Sequence, residues 1–280
     1  DQDAARQQQQ AESALAAGAA VLVLDPVDGR AAASILAAAT AEGVPVISYD
    51  RMIIGGGKPA YYVSFDNERV GELQAEALVA GLEKEGRSDG GILMVHGAPT
   101  DSNAAQFRDG ARRVIAAAGL RVLAEYDTPD WSPDKAQAWV SGQLAQYGDE
   151  VAAVYAANDG TASGAIAALR AADVSPFPIV TGQDAELTAL QRIVEGDQYM
   201  TVYKAIRTQA TIAADVAVQL AAGDKPAGDT TIDGIPATLL TPVAVTVDNI
   251  ASTVVADGFW TIADICTPTY AEACAAAGLE

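Results

Sequence analysis

The sequence predicts an α/β protein built as two doubly wound parallel-sheet lobes. Three observations point there. Strand-like and helix-like patterns alternate along nearly all of the 280 residues. The strand segments are continuous apolar runs, the mark of strands covered on both faces. There are also too many of them for one compact sheet.

The elements follow in order. Residues 11–17 read as a helix closed by Gly18, and residues 20–24 (AVLVL) as a buried strand. Residues 31–41 form an Ala/Leu-rich helix that Gly43 ends, and 44–49 (VPVISY) the next strand. After the glycines 55–57 comes a strand over 61–65 (YYVSF), and Asn67 caps a helix to about residue 82. The same rhythm gives strands at 91–95, 120–126, 151–156, 178–181 and 199–203. Helices are expected at 104–118, 133–147, 161–172, 186–195 and 205–222. A Thr/Val/Pro-rich stretch follows, with strand character over 237–247. The start is unusual, because DQDAARQQQQAESALAAG is a polar helix with no strand before it. It is either a simple terminal helix or the sign that a leading β-α-β piece of roughly 30 residues is missing.

Composition narrows the function. Lys and Arg number 17 against 37 Asp and Glu, a net charge of −20. That argues against nucleic acid and against anionic membrane surfaces. The lone histidine, His96, excludes a multi-histidine metal site and reads as a structural residue at the end of an apolar strand. Cys266 and Cys274 cannot make a four-cysteine zinc site. They are two ordinary thiols or a short-loop disulfide, which would imply an oxidising compartment. No phosphate-binding glycine loop and no G-x-S-x-G nucleophile elbow is present. A pair of carboxylates for glycoside hydrolysis stays open, since it depends on a distance.

In doubly wound lobes, ligands sit at the carboxyl ends of strands. There the sequence carries Asp25, Asp50, Arg51, Asp66, Asn67, Asp101, Asn103, Trp131, Asn158, Asp159, Gln183, Asp184 and Lys204. Asp25, Asp66 and Asn67 are assigned to caps and turns, and Asp159 can be another cap. Capping does not call for Arg, Lys or Trp. The set suits an uncharged polyol. Each sugar hydroxyl both donates and accepts, so carboxylates, cations and amides serve it together, and an indole covers the apolar ring face.

SYDRMI (48–53), YVSFDNERVGELQA (62–75), AANDGTASGAI (156–166), TGQDAEL (181–187) and MTVYKAI (200–206) resemble the xylose-binding branch of the periplasmic sugar-binding proteins. LLTPVAVTVDNI (239–250) and VVADGFW (254–260) resemble its closing segment. The resemblance implies the type I periplasmic-binding-protein fold, two lobes joined by a hinge. Residues 1–100 with 205–236 would form the N-terminal lobe, and 101–204 with 237–280 the C-terminal one. It implies sugar contacts from Asp50, Arg51, Asp101, Asn103, Asn158, Asp184 and Lys204, with Trp131 stacking on the ring. It makes Cys266 and Cys274 look more like a disulfide. It also implies that the first strand, helix and second strand of the N-terminal lobe precede Asp1, so that this chain alone would be poorly stable or weakly binding.

The function implied is capture of a monosaccharide, D-xylose foremost, between two closing lobes for the permease of an ABC importer. The protein would be a monomer, needing no cofactor and binding no nucleic acid. It would be periplasmic or at the cell surface, a lipid anchor on the missing N-terminus being one form. The alternatives are a sugar-sensing receptor domain, the sensor of a transcription regulator, and a sugar-active enzyme.

Overall fold

The computed structural model describes residues 2–279. The chain divides into two compact units. The first holds the chain up to Asp66, with Thr100–Asn103 and Ala205–Thr241; the second holds Asn67–Pro99, Ala104–Lys204 and the chain from Pro242 onward. The first unit opens with α1 (Ala4–Ala16), β1 (Leu22–Leu24), α2 (Ala33–Ala41), β2 (Val46–Tyr49) and β3 (Tyr61–Phe65). Next come α3 (Asn67–Glu85), β4 (Gly91–His96), α4 (Ser102–Ala117), β5 (Arg121–Asp127) and α5 (Pro133–Tyr147). The second unit continues through β6 (Val151–Ala156), α6 (Asp159–Ala171), β7 (Ile179–Val180), α7 (Leu187–Glu195) and β8 (Thr201–Tyr203). Then α8 (Ile206–Ala221), β9 (Thr230–Ile232) and β10 (Ile235–Leu240) complete the first unit. The second ends with β11 (Val243–Val245), α9 (Ile262–Ile265) and α10 (Ala271–Ala276).

The first sheet has the order β1-β2-β3-β10-β9, with only β9 antiparallel. The second is parallel, β5-β4-β6-β7. There β4 and β6 are buried along their whole length, as continuous apolar runs require. Successive side chains point to opposite faces. Leu93 and Val95 therefore meet Val140, Ile166 and Leu169, while Ile92 and Met94 meet Leu78, Leu82 and Ile115. Each fully buried aliphatic side chain contributes about 1.5–3 kcal/mol of transfer free energy.

The two compact units differ from the expected lobes in which segments they hold. Residues 67–99 were expected in the N-terminal lobe, but they lie in the second unit. The reason is pairing: β4 bonds to β5 and β6, and α3 covers its inner face through Leu78 and Leu82. Residues 101–103 and 237–241 move the other way, the latter because β10 pairs with β3 from Ala237 to Leu240. The single strand expected over 237–247 breaks into β10 and β11 at Thr241 and Pro242, a residue with no N–H to donate. The opening helix is longer than its apolar pattern. Asp3 Oδ1 caps it by accepting from Arg6 N (2.9 Å), and Gln7 binds Asp25 O and Val27 N, which docks a polar turn on the loop after β1. Strand β9 and helices α9 and α10 were not anticipated. Cys266 and Cys274 are joined as a disulfide, with Cα atoms 5.8 Å apart.

His96 is 2% exposed at the end of β4. Its Nε2 lies 2.7 Å from Glu125 Oε2, which also accepts from Arg112, while Nδ1 is buried without a partner among the described residues. Burial lowers the imidazole pKa, with Glu125 opposing. The folded chain then holds fewer protons than the unfolded one between that lowered value and about 6.5, so stability falls as pH drops through this window. His96→Gln should flatten that part of the melting-temperature profile. Profiles of identical slope for the two proteins would refute the assignment.

Candidate functional site

Four predicted residues of the first unit form one network. After β2 the chain turns through Asp50 in the left-handed region (φ 59°), where a non-glycine residue needs holding. Its carbonyl accepts from Ser64 Oγ (2.6 Å), Tyr62 Oη (3.1 Å) and Asn103 Nδ2 (3.2 Å). Burial pushes the Tyr62 phenol upward, aided by Asp50, Asp101 and Asp25, which keeps it a donor. Buried Ser48 closes the same turn, donating to Arg51 O (2.7 Å) and accepting from Ile53 N (3.0 Å).

Arg51 Nε meets Asp101 Oδ2 at 2.8 Å, and Arg51 Nη1 donates to Pro26 O at 3.2 Å. Asp101 Oδ1 accepts from Asn103 N (2.8 Å), an Asx turn at the start of α4. Asn103 Nδ2 also reaches Asp50 Oδ2 (3.2 Å). The arrangement gathers two carboxylates, a guanidinium and an amide at the end of one sheet. Each oxygen can accept more than one bond and the guanidinium carries five donors, so the cluster can serve hydroxyls in both senses.

Three of the second unit's predicted residues also come together. Trp131 sits in a short turn after β5, where it and Asp130 both have positive φ (55° and 59°). The indole lies against Gly97: a Cβ there would be 2.0 Å from the ring, so only glycine fits. Phe107 meets Trp131 edge-on with ring centres 6.4 Å apart, and Lys204 Nζ stands 5.9 Å over Phe107. Lys204 Nζ pairs with Asp184 Oδ1 at 3.0 Å. Lys204 is 9% exposed, while the Asp184 side chain keeps 35% of its surface open.

Asn158 stands apart. It is the N-cap of α6, its Oδ1 accepting from Thr161 N (2.8 Å) while Thr161 Oγ1 accepts from Asn158 N (3.2 Å). The capping box spends its oxygen and leaves the amide nitrogen for other work. Of the residues assigned to caps, Asn67 opens α3, whereas Asp25 lies 3.9 Å from Arg51 Nε.

Sequence reasoning missed three contributors. Phe107 gave no signal, being one apolar position of an amphipathic helix. Gln209 of α8 donates to Asp50 Oδ1 (3.3 Å); its one clue is a polar residue on the buried stripe of an Ala-rich helix. Asp159 reads as a cap in Asn-Asp-Gly-Thr, but its carboxylate turns inward and is wholly buried. Burial, then the charge of Asp184, holds its pKa well above the ordinary carboxylate range.

Among the described residues no cluster of His, Cys, Asp or Glu could hold a metal ion. No helix there is long and apolar enough to cross a membrane.

The family described as Periplasmic binding protein domain matches residues 1–225. The chain is 39% identical over 261 residues to the D-xylose-binding periplasmic protein of Escherichia coli (strain K12), covering 90% of this chain and 77% of that one. It is 33% identical over 283 residues to the multiple sugar-binding periplasmic receptor ChvE of Rhizobium radiobacter, covering 93% and 80%. A solved ABC transporter solute-binding protein from Clostridium phytofermentans with bound β-D-glucose superposes with a TM-score of 0.87 at 29% identity, over 94% of this chain and 87% of that one. The chain belongs to the periplasmic binding protein family, and it is a solute-binding protein rather than an enzyme.

Proposed function

We propose that this protein captures a monosaccharide, D-xylose first among the candidates, outside the cytoplasm and delivers it to the permease of an ABC importer. The observation that carries the reading is the charge pairing at the strand ends. Arg51 with Asp101 and Lys204 with Asp184 each set a cation beside a carboxylate at hydrogen-bond distance. Such pairs offer strong donors and acceptors together, which is what a sugar hydroxyl uses. Trp131, braced by Gly97 and Phe107, adds a face for the ring C–H groups.

D-xylose is preferred to D-glucose because the Escherichia coli relative carries the higher identity, 39% against 29% for the glucose-bound structure. The two sugars differ by one hydroxymethyl group. A thermal-shift panel of D-xylose, D-glucose, D-ribose, D-allose and myo-inositol tests the reading. D-xylose should raise the melting temperature most, since a ligand that binds only the folded state stabilises it. A larger shift with D-glucose would reassign the sugar, and no shift with any of the five would refute sugar capture. The Rhizobium relative is described as a periplasmic receptor, which favours a second reading of this chain as a sugar-sensing receptor.

A further inference from the structure

The loop between β7 and α7 carries Asp184, and two consecutive residues there, Asp184 (φ 99°) and Ala185 (φ 50°), are non-glycine residues in the left-handed region. A backbone of that kind persists only where its surroundings over-determine it. Here they do. Asp159 N donates to Gln183 O (2.9 Å), Asp184 N to Val202 O (2.8 Å), Ala185 N to Thr201 Oγ1 (3.1 Å) and Glu186 N to Asp159 Oδ2 (2.9 Å). Trp260 Nε1 donates to Ala185 O (2.8 Å).

Two of these ties lead to one buried carboxylate, that of Glu186 N directly and that of Ala185 N through Thr201. Asp159 accepts from Glu186 N on Oδ2, from Gln198 Nε2 on Oδ1 (2.7 Å), and from Thr201 Oγ1, which stands 3.0 and 2.9 Å from its two oxygens. Gln198 cannot reverse its amide, because its Oε1 already accepts from Arg192 Nε (3.0 Å) and Nη2 (2.9 Å). Both oxygens of Asp159 therefore face committed donors. The loop also rests directly on the carboxylate: a Cβ on Gly182 would stand 2.1 Å from Asp159 Oδ1.

We propose that Asp159 is a positioning residue for sugar binding. Its carboxylate, with Thr201 as a second arm, fixes Ala185 and Glu186 so that the neighbouring Asp184 side chain is presented in one place beside Lys204. Asp159 itself, wholly buried, touches no sugar. The inference rests on the functional reading above, in which Asp184 binds a hydroxyl.

The test is calorimetric titration of the full chain with D-xylose and D-glucose. Asp159→Asn keeps the shape but turns an amide N–H₂ toward a donor that cannot move, so the loop shifts, Asp184 is no longer held in one place, and the tighter sugar should bind about ten-fold more weakly. The threonine arm gives a second route should that variant fail to fold. Thr201→Val should lose about as much as Asp159→Asn, whereas Thr201→Ser, which restores the hydroxyl, should stay within about two-fold of the unmodified chain. Leu169→Ala, in the core away from this loop, should lower the unliganded melting temperature without changing affinity. Thr201→Ser and Thr201→Val of equal affinity would overturn the proposal, and so would unchanged affinity in Asp159→Asn while Asp184→Ala loses it. If Asp184→Ala itself keeps full affinity, the functional reading falls, and this inference with it.

Discussion

Asp184→Ala is expected to weaken sugar binding about a hundred-fold, the loss of a charge-assisted hydrogen bond together with the buried cation it leaves behind. Two consequences of the geometry add up. The carboxylate is the more open member of its pair, at 35% of its side-chain surface, so it is the one that can accept from a hydroxyl. Its partner Lys204 is 9% exposed and also lies over the Phe107 ring. Without Asp184 the ammonium keeps its desolvation cost and loses the carboxylate 3.0 Å away. The variant should therefore melt at a lower temperature without sugar, yet give an unchanged far-ultraviolet dichroism spectrum, since Asp184 N still bonds Val202 O through the backbone. Calorimetric titration beside the melting curve separates the two effects. An affinity within a few-fold of the unmodified chain would remove Asp184 from the site.

Asp101→Ala should have the largest effect on stability. The Asp101 side chain is 4% exposed and the Arg51 side chain 16%, with Arg51 Nε 2.8 Å from Asp101 Oδ2. Removing Asp101 leaves the largely buried guanidinium with only the half-exposed Asp25, 3.9 Å away, as counter-charge, a cost of about 3 kcal/mol. Asp101 also ties down Asn103 N, and through Asn103 the carbonyl of Asp50. The loss should reach the whole turn at 48–53, so sugar binding should become undetectable in the same variant. The contrast is Glu68→Ala, which breaks the exposed pair with Arg113 and should hardly move the unfolding midpoint. Urea unfolding of both variants reads the difference. Equal midpoints would mean that the Arg51–Asp101 pair carries no structural weight.

The β-α rhythm was legible because the buried strands are apolar on both faces. GILMV, VAAVYA and YYVSF can hardly be anything else, and their positions agree with β4, β6 and β3 to within a residue. Which unit owned a segment was not legible. Residues 67–99 continue the same rhythm without a break in composition, and only the pairing of β4 with β5 and β6 assigns them. The end of the chain hid its elements for another reason: α9 and α10 are one- and two-turn helices, stabilised by the contact of Gln191 with Asp264 O and by the disulfide rather than by any apolar period.

The candidate site followed the same line. Residues that stand at strand ends in the sequence, such as Asp50, Arg51 and Asp184, were within reach of a rule about doubly wound sheets. Residues that act by supporting them were not. Gln209 belongs to a helix that sequence spacing leaves unconnected to β2, and Asp159 is hidden behind the cap formed by its neighbour Asn158. Helix-capping statistics describe Asn158 well and misdirect attention from Asp159, whose partners come from residues 186, 198 and 201.

The central claim is that this chain binds a free monosaccharide reversibly and leaves it unchanged. Titration calorimetry of D-xylose into the unmodified protein, followed by recovery of the sugar, tests it most directly. The account predicts saturable heat at one sugar per chain and D-xylose recovered intact. No saturable heat with D-xylose or D-glucose, or a sugar recovered chemically altered, would contradict it.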